Sequence, residues 1–267
     1  MADLFIKQAQ QYANARPTYS TELFEFIASR TESHDLAWDV GTGSGQAIPP
    51  LAKIYKNVIG TDTSQKQLDF APQIPNVKYQ HTSPTMSIEE LQQNVASQST
   101  LDLVTIAQAM HWFDLPKFFD LVKWALKKPN GVIAAWCYTV PEINDEVDAV
   151  FGPFYKNDSG PYWEEARKLV DNKYRDIYFP FEPLHGLDHT GPFEFKVEKV
   201  MTFDDYMMYI RSWSAYNTAK EKGIELLTDE VMDKFKHAWN IGDGGNEKVL
   251  KFPIYLRIGK VGDANKG

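Results

Sequence analysis

Three groups of residues in this chain have types and spacing that could do chemistry. The first is Asp39-Val-Gly41-Thr42-Gly43-Ser-Gly45. Glycines at alternate positions let a backbone turn sharply and approach a ligand with no Cβ in the way. The apolar run Leu36–Val40 precedes them and a helical stretch follows. The start of a helix offers unpaired N–H groups. The second is Asp62, which closes Val58-Ile-Gly-Thr-Asp62 17 residues after Gly45. An acid there can bond the paired hydroxyls of a ribose. The third is Gln108-Ala109-Met-His111-Trp112-Phe113, where another apolar run stops. Together they describe a cradle for a nucleoside-bearing cofactor with an imidazole and aromatic rings beside it. The bland readings are a tight strand–helix turn with no ligand, and a Trp112 and His111 that only fill and bond the core.

Elements must position these groups. Leu36–Val40, Val58–Asp62, Val77–Gln80, Leu101–Ile106 and Gly131–Tyr138 read as strands. Helical spacing falls at 3–15, 20–30, 46–56, 64–70, 87–95 and 116–126. Strand–helix alternation with short connections predicts a parallel sheet with helices on both faces. Ligands in such sheets bind beyond the carboxyl ends of the strands, where the three groups lie. After residue 139 the pattern changes. Residues 141–178 read as helical, and 179–192 as a loop rich in Pro and Gly. Helices follow at 204–219 and 228–239, with a turn at 241–246. Residues 193–203 and 252–260 read as final strands.

Composition narrows the function classes. The chain has 267 residues, with 28 Lys and Arg against 36 Asp and Glu, for a net charge of −8. That balance argues against a broad basic footprint, so no nucleic-acid partner is expected. The single cysteine, Cys137, excludes an intrachain disulfide and a Cys-rich metal site. His185 and His189 beside Asp188 lack a third convincing ligand, so no metal is expected. No apolar run is long enough to span a membrane and no secretory signal is evident, so a cytoplasmic chain is expected. A monomer is expected too.

Two cofactor classes could use the glycine loop. The dinucleotide pattern GxGxxG needs glycine or alanine at position 46, which is Gln46. An NAD(P)-dependent oxidoreductase therefore stays as the alternative. The GxGxG form, with an acid two residues ahead, resembles the S-adenosylmethionine loop of class I methyltransferases. Thr61-Asp62-Thr63-Ser64, Gln108–Phe113 and Arg211-Ser-Trp213-Ser extend the resemblance to the branch of trans-aconitate methyltransferase-like enzymes. Tyr12, Arg16, Pro17 and Tyr19 match the opening of plant embryo-abundant-like methyltransferases.

The resemblance implies an α/β, Rossmann-like, seven-stranded and mostly parallel sheet with helical cap insertions. It implies one methyltransferase domain over 1–267: a helical lid at 1–30, a cofactor-binding core at 31–138, and cap segments at 139–192 and 204–246. It implies S-adenosylmethionine as donor, S-adenosylhomocysteine as product and a small-molecule acceptor. By the same resemblance Asp39, Gly41, Thr42, Gly43 and Gly45 form the loop at the methionine end. Asp62 and Thr63 take the ribose, and Gln108 and Ala109 flank the amino group. Tyr12, Arg16 and Tyr19 close the pocket. Many members carry an acid after the third strand for the adenine; here Thr82 and Ser83 stand there instead.

The expected acceptor is a carboxylate. It is ionised near pH 7 and needs no base, so alignment and exclusion of water carry the reaction. A phenol or an amine is the alternative, with His111 as the candidate catalytic base. His111, Trp112, Trp136, Tyr138, Arg211 and Trp213 are the candidate acceptor contacts. Arg211 could pair with a carboxylate in bidentate fashion. A non-catalytic binding protein on the same fold is the remaining class.

Overall fold

Five apolar runs become five parallel strands in the computed structural model, which describes residues 17–240 and 246–262. In chain order the first half runs α1 (Thr21–Ala28), β1 (Leu36–Val40), α2 (Ile48–Ile54), β2 (Asn57–Asp62), α3 (Gln65–Leu68), β3 (Val77–His81), α4 (Ile88–Asn94), β4 (Leu103–Ala107), α5 (Leu115–Ala125) and β5 (Val132–Tyr138). The second half holds α6 (Asp145–Pro153), α7 (Arg167–Asp171), β6 (Phe193–Thr202), α8 (Phe203–Arg211), α9 (Ser214–Glu221), α10 (Asp229–Trp239) and β7 (Glu247–Lys260).

The sheet order is β3-β2-β1-β4-β5-β7-β6, and β7 runs antiparallel to β5. The order reverses about β1. β2 pairs with one edge of β1 and β4 with the other, both parallel. That reversal opens a crevice at the carboxyl ends of β1 and β4, where a doubly wound sheet holds its ligand. The seven residues of β5 are all buried, as expected for a strand covered on both faces.

The chain divides into two compact units. The sheet unit comprises 18–139, 169–195 and 254–262 among the described residues. Its core includes Trp38, Val104, Ile106, Val122, Ile133 and Tyr255. A fully buried aliphatic or aromatic side chain of this kind contributes about 1.5–3 kcal/mol. Residues 169–192, expected with the cap, group with this unit.

The other unit comprises 140–168 and 196–253. Its core is aromatic: Tyr206 stacks on Trp239 at 5.3 Å, and Trp213 meets Tyr155, Trp163 and Tyr209 at 5.4–5.7 Å. Thr202 starts α8 with a reciprocal cap. Its hydroxyl accepts from the Asp205 amide, and the Asp205 carboxylate accepts from the Thr202 amide.

Two expectations shift. The helix expected over 204–219 is two helices. The Ser212 hydroxyl turns back onto the Tyr209 carbonyl at 2.6 Å, and Trp213 is extended, with ψ 145°, where α9 begins. The last strand starts at Glu247, five residues before the expected 252; β7 lies between β5 and β6 in the sheet, and Lys251 also bridges to Glu142. The helix expected over 3–15 lies outside the described residues, as does most of the lid expected over 1–30. No described helix is long and apolar enough to cross a membrane.

Candidate active site

The glycine loop leaves β1 with Gly41, Gly43 and Gly45 all at positive φ, +64°, +57° and +81°. L side chains rarely adopt this conformation, which explains glycine at alternate positions. Space adds a second requirement at Gly41. A Cβ there would stand 2.7 Å from the Ala109 Cβ and 3.4 Å from the Phe113 ring. The end of β4 therefore lies directly against the loop.

Asp62 braces this loop. One carboxylate oxygen accepts from the Gly43 amide at 2.8 Å and the other from the Ser64 amide at 2.8 Å. A carboxylate has about four acceptor sites, so two such bonds leave capacity for a ribose. The Thr42 amide donates to the Thr61 carbonyl at 2.9 Å, which ties the loop to β2.

Asp39 lies beneath the loop and is fully buried. Register places it beside Thr105 of β4, whose hydroxyl donates to Oδ1 at 2.6 Å. Among the described residues its Oδ2 has no hydrogen-bond partner, and neither does the buried Thr42 hydroxyl. Burial pushes the carboxyl up to about 6; the Thr105 and Thr42 hydroxyls oppose the rise, and the Asp62 charge adds to it. The Thr42 hydroxyl acts here by proximity, since it forms no bond of good geometry.

At the end of β4, Gln108 takes φ +57°. Its side-chain amide donates to the Tyr138 carbonyl at 3.1 Å and accepts from the Tyr138 amide at 2.9 Å. The side chain is thus committed to β5, and what Gln108 presents at the crevice is backbone. His111 follows on a single turn, Met110–Trp112, anchored by the fully buried Met110. Its Nδ1 lies 2.8 Å from the Tyr174 hydroxyl.

A cavity of about 590 Å³ opens over these strand ends, within the sheet unit. It gathers Gly41, Gly43, Asp62, Thr63, Thr82, Ser83, Gln108, Ala109 and Trp112, all expected at the site. Trp112 is 56% exposed, unusual for a residue of its size. Sequence reasoning missed Met86, Phe118 and Leu121 among the lining residues. Phe118 and Leu121 share a face of α5 at i, i+3 spacing, a signal that reads as core. Met86 gave no signal.

Other expected residues stand elsewhere. Asp39, Thr42 and Gly45 support the loop and add no wall to this cavity, and His111 adds none either. Trp136 is fully buried, edge-on to Tyr19 at 5.2 Å and to Phe24 at 5.8 Å. Tyr138 is also buried. Arg211 is exposed and Trp213 buried among rings, both in the second unit. Tyr12 and Arg16 lie outside the described residues.

The residues at the cavity fit a nucleoside-bearing donor. The backbone at Gly41 sits where a Cβ would collide, an acid stands at the end of β2, and an apolar flank follows from Met86 to Leu121. Among the described residues no cluster of His, Cys, Asp or Glu could hold a metal ion.

Comparison with known proteins agrees with this geometry. Residues 38–135 match the family model described as a methyltransferase domain. A protein of Dictyostelium discoideum named as a methyltransferase is 34% identical over 263 residues, covering 97% of this chain and 95% of that one. A Saccharomyces cerevisiae protein, CRG1, named as an S-adenosylmethionine-dependent methyltransferase, is 25% identical over 79% of this chain and 80% of its own. A solved structure from Anaeromyxobacter dehalogenans, described as a type II methyltransferase, superposes with a TM-score of 0.78 at 28% identity. It covers 93% of this chain and 99% of the other. The chain belongs to the class I S-adenosylmethionine-dependent methyltransferases, and it is an enzyme of that kind.

Proposed function

We propose that the chain methylates a small-molecule acceptor at a carboxylate oxygen, by in-line displacement. The observation that carries the reading is the cavity at the ends of β1 and β4. Its volume of about 590 Å³ suits a small ligand, and its walls join a polar glycine loop to an apolar flank. The resemblance to the trans-aconitate methyltransferase-like branch supports the same acceptor class.

S-adenosylmethionine, when bound, supplies an electrophilic methyl group on a sulfonium. Gly41 and Gly43 would hold its methionine end through backbone, and Asp62 with Thr63 its ribose. The Thr82 amide is used on the Asp62 carbonyl, the Ser83 amide on Glu90 and the Ser83 hydroxyl on the Thr85 amide, so a contact from these residues to the adenine would come from the Thr82 hydroxyl or from their carbonyls. The Gln108 carbonyl would face the donor's amino group.

Trp112, Phe113 and Met86 give the flank of the cavity apolar surface from which a bound donor would displace water. A carboxylate and a sulfonium neutralise each other in the transition state, so a dry wall favours that state over the charged reactants. The reading extends to a monomeric, cytoplasmic chain with neither nucleic acid nor membrane as partner. Transfer of labelled methyl from the donor into a pool of small organic acids tests it. The expected product is a methyl ester that mild base hydrolyses. Label that resists base, or that appears only on macromolecules, would overturn the acceptor assignment.

A further inference from the structure

We propose that Gln108 is a positioning residue: its side chain takes the place of its own backbone carbonyl in the ladder between β4 and β5, and so frees that carbonyl for the ammonium at the amino-acid end of the methyl donor. The inference rests on the reading above that this carbonyl faces the donor's amino group. It adds what holds the carbonyl there and which ligands the site then prefers.

The ladder is regular up to this point. β4 and β5 pair in parallel from Leu103 beside Val132 to Ala107 beside Trp136. The Gln108 amide continues the pattern and donates to the Trp136 carbonyl at 2.8 Å. Bonds in a parallel ladder are evenly spaced, so the next one would run from the Tyr138 amide to the Gln108 backbone carbonyl. The Tyr138 amide donates instead to the Gln108 side-chain oxygen at 2.9 Å, and the side-chain nitrogen donates to the Tyr138 carbonyl at 3.1 Å. One side-chain amide thus pairs with both backbone polar groups of Tyr138. Among the described residues no donor reaches the Gln108 backbone carbonyl.

The backbone conformation gives the same message. Gln108 sits at φ +57°, in the left-handed region. Glycine is the least costly residue there, and asparagine and aspartate follow. Glutamine has no such advantage, and asparagine is one methylene shorter, so the reach of the side chain to Tyr138 is what the position uses. A non-glycine residue in this region persists where its surroundings over-determine it, and such residues gather at ligand sites. The turn also seats Ala109 against the glycine loop, where a Cβ on Gly41 would stand 2.7 Å from the Ala109 Cβ. Gln108, Ala109, Gly41 and Gly43 line one cavity, and all belong to the sheet unit. A carbonyl without a partner at such a place is a ready acceptor for a cation, and a hydrogen bond from an ammonium is stronger than one between neutral groups.

The consequence is a preference among ligands. The site should discriminate between molecules that carry the amino group and those that lack it, and the discrimination should depend on a side chain that touches neither.

Calorimetry on the full chain tests this as a cycle, with one change on the protein and one on the ligand. The ligands are S-adenosylhomocysteine and its deaminated analogue, in which hydrogen replaces the amino group. Wild type should bind the analogue about 10- to 100-fold more weakly, the worth of a hydrogen bond to a charged group. Q108G tolerates positive φ and should keep the fold, but without the side chain the Tyr138 amide recaptures the backbone carbonyl at 108. The two ligands should then bind almost equally, through a loss confined to S-adenosylhomocysteine. Q108M, close to glutamine in size and with no polar atom for Tyr138, should behave in the same way. Equal weakening of both ligands in the two variants would mean that the side chain only builds the end of the strand, and would overturn the proposal. Unchanged affinity for S-adenosylhomocysteine in both variants would overturn it too. A wild type that binds the two ligands equally would instead overturn the contact between carbonyl and amino group on which the proposal rests.

Discussion

Replacing Asp39 by asparagine should make the protein more stable and a poorer binder of its donor. Burial pushes the Asp39 carboxyl up to about 6 from an ordinary 3.8. Well below pH 3.8 the group is protonated in both folded and unfolded chains. Between those two values the unfolded chain gives up its proton while the folded chain keeps it, so stability falls as pH rises. Above about pH 6 that loss is complete. A gap of about two pKa units corresponds to about 3 kcal/mol. The Asp39→Asn side chain carries no charge to desolvate. Its oxygen can keep the Thr105 hydroxyl bond, and its amide can donate to the Thr42 hydroxyl oxygen, which has no partner among the described residues of the wild type. Rearranging a buried amide costs about 1 kcal/mol. The net gain at neutral to slightly alkaline pH is about 1–3 kcal/mol, or a rise of about 2–10 °C in Tm for a chain of this size. Thermal melts of both proteins at about pH 7.5 and about pH 4.5, on either side of the folded-state titration, measure it. The difference in Tm should be large at the higher pH and shrink at the lower. Equal differences, or a variant less stable at the higher pH, would refute the claim that Asp39 is a buried, underpaired charge. Calorimetry should show affinity for S-adenosylhomocysteine falling at least tenfold, because the loop loses the charge beneath it.

Other perturbations separate the loop, the acid and the cavity wall. Gly41→Ala forces a Cβ to 2.7 Å from Ala109 at φ +64°, so it should cost about 1–3 kcal/mol in chemical denaturation and abolish detectable binding of S-adenosylhomocysteine. Asp62→Ala removes the acceptor for the Gly43 and Ser64 amides and should weaken that ligand at least tenfold by calorimetry; unchanged affinity would refute its ribose role. Trp112 lines the cavity while 56% exposed, so ligand should quench tryptophan fluorescence in the wild type but much less in Trp112→Phe. Equal quenching in both would refute contact between Trp112 and the ligand.

Much of the cofactor side was legible from sequence because it is local. One strand, one glycine loop, one helix and the next strand's terminal acid follow each other within 27 residues, from Leu36 to Asp62, and the backbone dictates the spacing. The Asp39–Thr105 bond was not legible, since it depends on which strands become neighbours. Tyr174 was invisible for a stronger reason. It lies 63 residues beyond His111, and nothing in its own segment marks it as a neighbour. Trp136 misled in the opposite way. A Trp at the end of a strand reads as a pocket wall, but the rings of Tyr19 and Phe24 bury it. The break at Ser212 escaped helical periodicity because side-chain capping on the Tyr209 carbonyl, not an apolar pattern, ends α8.

The most direct test of the central claim is a pair of calorimetric titrations on the full chain, with S-adenosylhomocysteine in one and NADH in the other. The cavity at the ends of β1 and β4 predicts saturable one-to-one binding of S-adenosylhomocysteine, lost in Gly41→Ala, and no binding of NADH. Binding of NADH, or no response to millimolar S-adenosylhomocysteine, would contradict it.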